Sequence, residues 1–150
     1  MSYARFAAMI ITSTIVMFGL MYLNTYALDH VTFSETRTYM ALLMGAVMAI
    51  IMLAFMLSMY QNKSANIAIF VGALVVSAGS LFLVRSQVKV QDVSYMRAMI
   101  PHHSIAIMTS RRAELSDPRV RELADGIIEA QVREIAEMKA LIAELEAQQK

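Results

Sequence analysis

Apolar and charged positions are segregated along this chain. Up to Val84 the charged side chains are Arg5, Asp29, Glu35, Arg37 and Lys63, and they bound three long uncharged runs. The runs hold 23 residues between Arg5 and Asp29, 25 between Arg37 and Lys63, and 21 between Lys63 and Arg85. About 20 apolar residues in a helix cross the ~30 Å hydrocarbon core of a bilayer. An open strand would leave its amides without partners in lipid, so helix is the conformation that fits. The pattern predicts a membrane region over residues 1–86, with spans at 4–27, 38–60 and 65–85. Tyr22, Tyr26, Tyr39 and Tyr60 fall near span ends, where interfacial aromatic rings belong. The first run exceeds the roughly 7–15 apolar residues of a signal peptide, and two spans follow it, so it is expected to be retained.

Past Arg85 the pattern becomes amphipathic. Apolar residues recur at helical spacing over 92–115 and again over 118–147, within an extramembrane region 87–150. Asp92 is expected to cap the first helix. Ser116-Asp117-Pro118 marks a turn and a restart, with Asp117 as cap and Pro118 at the first helical position. So short a connection predicts an antiparallel hairpin. The fold class is all-α: a three-helix transmembrane region followed by a helical hairpin.

Composition sharpens this picture at three points. The 150 residues are 58% hydrophobic and 17% charged, with mean hydropathy +0.54, and ten basic and ten acidic residues lie from Arg85 onward. The balance leaves no basic surface for nucleic acid. There is no cysteine, which removes disulfides, zinc-thiolate sites and thiol nucleophiles, while methionine is abundant at 14 residues. Charge also orients the chain. Arg5 and Lys63 favour the cytoplasm, which puts the net acidic loop of Asp29, Glu35 and Arg37 outside with the carboxyl-terminal region. Arg85, Lys89 and Arg97 pull the other way. His30, in that loop, is expected to be solvated.

Candidate chemistry lies on the hairpin. At ~100° per residue, Asp92, Met96, Met99 and His103 fall on one helix face, with His102 beside it and Met108 pointing elsewhere. Gln131, Glu134 and Met138 recur on the second helix within a stripe built from Ala124, Ile127, Ile128, Ile135, Ile142 and Leu145. Burying such polar groups is costly unless they have partners. A metal ion is one: imidazole suits copper and zinc, and thioether sulfur selects copper(I) and silver(I). The other is a register-fixing hydrogen bond between Gln131 and Glu134. Pro101 lacks an amide hydrogen, so the Arg97 carbonyl loses its helical donor and a kink or break is expected beside the histidines. In the membrane, Met40, Met44, Met48, Met52 and Met56 step every four residues, and adaptable apolar packing accounts for them.

Met99-Ile100-Pro101-His102-His103, followed by Ala106 and Met108 and then by Gln131, Glu134, Ile135 and Met138, resembles the DUF305 family of domains of unknown function. Asp92 matches the same pattern, and the resemblance covers about residues 90–145. It implies a ferritin-like helical fold of the kind usual in exported bacterial domains, some of them periplasmic copper-binding proteins tied to copper tolerance. It implies Met99, His102, His103 and Met138 as copper ligands, with Asp92, Met108, Gln131 and Glu134 as further positions. Relatives with more helices can form a four-helix bundle within one chain. This chain has one hairpin, so two chains are expected to pair as a symmetric dimer.

The expectation is a bacterial inner-membrane protein with a cytoplasmic amino terminus and a periplasmic hairpin. The hairpin would capture or buffer copper, or silver, and exchange it with a donor or acceptor protein. The alternative is a metal-free assembly module. No carboxylate set for a ferroxidase and no His-Glu-x-x-His motif is present, so enzymatic activity is not expected.

Overall fold

The computed structural model describes residues 2–148, and the described chain is all-α. Five α-helices follow one another: α1 (Tyr3–Leu20), α2 (Glu35–Phe55), α3 (Lys63–Ser86), α4 (Asp92–Arg112) and α5 (Pro118–Gln148), with a 3-10 turn at Leu28–His30. The chain divides into two compact units. One takes Met1–Met21 and Thr36–Lys89; the other takes Tyr22–Glu35 and Val90–Lys150.

In the first unit, α1, α2 and α3 are each long and apolar enough to cross a membrane. The starts of α1 and α3 are capped by polar side chains. Ser2 Oγ accepts from the Arg5 amide at 3.3 Å, and Asn62 Oδ1 accepts from the Ala65 amide at 3.0 Å. Phe6, Ala46, Ala49, Leu53, Tyr60 and Ala73 form the shared core, against which Met9, Met52 and Met56 pack. Gly45 of α2 lies against Thr14 of α1. A Cβ there would lie 2.3 Å from Thr14 Oγ1, so any side chain forces Thr14 or the helix packing to shift.

Two expectations about the spans are corrected. The first helix ends at Leu20 rather than Ala27, because the uncharged residues beyond it belong to the loop of the other unit. An uncharged run measures what lipid tolerates, not where the helix stops. Tyr60 is 1% exposed and packs on Phe6 (ring centroids 5.5 Å) and Tyr3 (4.9 Å), so it is core rather than an interfacial ring. Asn66, itself buried, ties this corner: Tyr3 Oη donates to Asn66 Oδ1 at 2.8 Å and Asn66 Nδ2 donates to the Tyr60 carbonyl at 2.7 Å.

In the second unit α4 and α5 pack as an antiparallel hairpin. Partner numbers on α5 fall as those on α4 rise: Arg97 with Glu146, His103 with Glu134, and the Ser110 carbonyl with Arg121. The core is Met96, Ile100, Ile107, Ile135 and Met138. Asp117 caps α5 by accepting from the Arg119 amide at 2.8 Å, and Pro118 opens it. Asp92 is the first residue of α4, one place inside the cap position held by Gln91, and the cap makes no side-chain bond. The helix runs unbroken through Pro101.

Candidate metal centre

Between α4 and α5 lies a groove of about 690 Å³. Six of the nine residues singled out from the sequence line it: Asp92, Met96, Met99 and His103 from α4, and Glu134 and Met138 from α5. Their helical spacing puts the α4 set on one face, and the buried pair Met96 and Met138 turns that face onto α5. The other three stand outside. His102 is exposed, its ring centroid 6.3 Å from that of His103 and tilted by 68°. Because α4 continues through Pro101, the two residues leave the helix about 100° apart, and His103 lines the groove while His102 does not. Met108 and Gln131 are half-buried beyond the groove; Gln131 Nε2 reaches Glu134 Oε2 at 3.4 Å. Tyr95, Glu137, Leu141 and Glu144, which the periodicity did not single out, also line the groove. Among the described residues no three His, Cys, Asp or Glu side chains converge as a metal site.

His103 is the centre of this groove. Its side chain is 13% exposed, with Nδ1 3.0 Å from the Met99 carbonyl and Nε2 2.8 Å from Glu134 Oε2. The carbonyl can only accept, so Nδ1 carries a hydrogen. Nε2 then faces a carboxylate oxygen across a short contact. A metal ion held at Nε2 would displace Glu134 from that contact. The Nδ1 bond to the backbone meanwhile fixes the ring, as second partners of metal-bound histidines do.

The segment Tyr22–Glu35 packs along this hairpin. The Tyr26 amide donates to Ser104 Oγ at 2.7 Å, and His30 Nδ1 meets the same oxygen at 2.9 Å. Arg111 donates to Tyr26 Oη at 2.6 Å with its guanidinium over the ring, and Lys139 Nζ donates to Asp29 Oδ2 at 2.5 Å. The Thr32 hydroxyl donates to the Arg97 carbonyl at 2.5 Å. That carbonyl is the one Pro101 leaves without its helical donor, so the loop supplies what the proline withholds. His30 is therefore not solvated: its side chain is 13% exposed, and burial pushes its titration below the ordinary histidine range, opposed by Asp29 and assisted by Lys139. The hydrogen bond from Lys139 holds Asp29 below the usual carboxylate range. The signal for this docking was present in the orphaned Arg97 carbonyl, which needed a hydroxyl or amide from elsewhere in the chain.

Comparison with known proteins places this architecture. The chain is 31% identical to "Uncharacterized protein L153" of Acanthamoeba polyphaga mimivirus over 150 residues, covering 95% of this chain and 97% of the viral one. The likeness thus runs through the three apolar helices as well as the hairpin. No solved structure matches. The family model described as "Domain of unknown function (DUF305)" matches residues 82–150, which hold the whole hairpin and its groove, and the chain belongs to the DUF305 family.

Proposed function

We propose that this chain is an integral membrane protein whose hairpin captures a soft metal ion: copper(I), with silver(I) as its analogue, or copper(II) through the imidazole. The observation that carries the reading is that Met96, Met99, Met138 and His103 line one groove. Three thioethers and an imidazole are a donor set for copper(I) rather than for calcium or magnesium, which take oxygen cages. The role is capture, buffering or tolerance rather than catalysis. The groove is open and leaves Tyr95 and Leu141 exposed. A second hairpin laid over it completes a four-helix bundle, and a donor or acceptor protein reaches the metal from the same side. In this reading the amino terminus is cytoplasmic and the hairpin lies in the periplasm of a bacterium. Support comes from Arg5 and Lys63 and from the bonds between Tyr22–Glu35 and the hairpin, which need that loop and the hairpin on one side of the bilayer.

A metal-free register-fixing module is the second reading, favoured by one observation: His103 and Glu134 already satisfy each other across the hairpin. Titration of purified protein in detergent with silver(I) or copper(I) separates the two. Under the first reading the wild type binds one ion per hairpin, His103→Ala lowers affinity at least tenfold, and His102→Ala does not. Affinity also falls in acid, because protons compete with the metal for the imidazole nitrogen. Failure of the wild type to bind either ion selects the second reading.

A further inference from the structure

We propose that Tyr22–Glu35 is an acid-released strap on the hairpin, held closed by neutral His30 on Ser104. The proposal does not depend on what the groove binds. The geometry is that of a grip around a single hydroxyl. Ser104 is fully buried, and its oxygen accepts the Tyr26 amide while contacting His30 Nδ1. His30 Nε2 points towards Asp29 Oδ2, 3.9 Å away, which suits a ring proton on Nε2. Nδ1 then accepts the one hydrogen of the Ser104 hydroxyl. Protonating Nδ1 reverses that bond and takes away the acceptor of the buried Ser104 hydroxyl hydrogen.

The charges around the ring do not rescue the imidazolium. Asp29, on the strap itself, attracts it, but its carboxylate is engaged at 2.5 Å by Lys139 from α5. What α4 presents to the ring is the uncharged Ser104 hydroxyl, while Arg111, further along, sits over Tyr26. Burial and, less strongly, Lys139 disfavour protonation in the closed state and lower the titration of His30, against the pull of Asp29. Asp29 titrates lower still than an ordinary carboxylate, so its pair with Lys139 persists while His30 changes charge.

The sign follows. A histidine that titrates lower when docked than when free stabilises docking fully above the free value of about 6.5 and loses that contribution as pH falls towards the docked value. Over that interval the docking constant falls up to tenfold per pH unit and then levels off. Release withdraws Thr32 from the Arg97 carbonyl and uncovers Ser104 beside His103. The strap thus makes the Pro101 turn of α4 responsive to acidity, with the inter-span loop as the moving part.

The test is hydrogen exchange of the full-length protein in detergent micelles from pH 7.5 to 5.0, corrected for the intrinsic pH dependence of exchange. The Tyr26 amide and its neighbours in 22–35 are expected to lose protection as pH falls, while the core of α5 around Ile135 keeps its own. His30→Asn, which keeps an acceptor at the Nδ1 position and cannot titrate, is expected to flatten the response. Should that variant dock poorly at every pH, the ring titration of His30 in histidine-labelled wild type decides: it must lie below the free value and coincide with loss of protection. Protection that does not change with pH in the wild type overturns the proposal. So does an equal loss in a docked His30→Asn.

Discussion

Replacing Met138 by leucine is expected to lower silver(I) or copper(I) affinity at least tenfold while leaving the hairpin folded. Met138 is 9% exposed, lines the groove, and belongs to the core with Met96, Ile100, Ile107 and Ile135. It therefore has two separable roles. Methionine and leucine are close in volume, and such swaps in a core cost less than about 1.5 kcal/mol. Leucine has no lone pair, so the packing survives and the donor is lost. Affinity by competition titration, read beside helicity and thermal unfolding, distinguishes the roles. A leucine variant that binds as tightly as the wild type would make the sulfur a space-filler and leave His103 without its main companion.

The second large effect concerns the scaffold. Ile100→Ala is expected to destabilise the hairpin by about 2–5 kcal/mol, the range for large-to-small changes at fully buried aliphatic sites. Ile100 is 0% exposed, one residue before Pro101, and Ile107 two turns later is 1% exposed. Two helices and a strap make a small core, with few neighbours able to close the cavity. Hydrogen exchange of the variant should show α4 and α5 losing protection while α1 to α3 keep theirs, since those helices have a core of their own. Ile100→Leu, which conserves volume, should restore most of the protection. Unchanged exchange in the alanine variant would mean that the hairpin draws its stability from somewhere other than this contact.

Much of the fold was legible because its signals are local. Charge-free runs long enough for lipid gave three helices, and Asp117-Pro118 marked the start of α5 to the residue. What could not be read is what depends on partners distant in sequence. The end of α1 was overrun because Tyr22 to Leu28 are as uncharged as a span, yet they answer to Ser104 and Arg111, some 80 residues on. Tyr60 looked interfacial from its position at a span end, and only its packing on Tyr3 and Phe6 makes it core. The candidate site divides the same way. Helical periodicity gathered Asp92, Met96, Met99 and His103 on one face, since 3.6 residues per turn fixes that face within one helix. The same geometry holds His102 about 100° away, so adjacency in sequence did not become adjacency in the groove. The pairing of His103 with Glu134 needed the register between two helices, which no local pattern sets.

X-ray absorption at the copper edge of the copper(I)-loaded full-length protein tests the central claim most directly, because it reads the donor atoms rather than their consequences. Sulfur together with one imidazole nitrogen is expected to surround the copper, with the sulfur contribution reduced in Met138→Leu and the imidazole contribution lost in His103→Ala. A shell of nitrogen and oxygen alone, unchanged by either substitution, would contradict it.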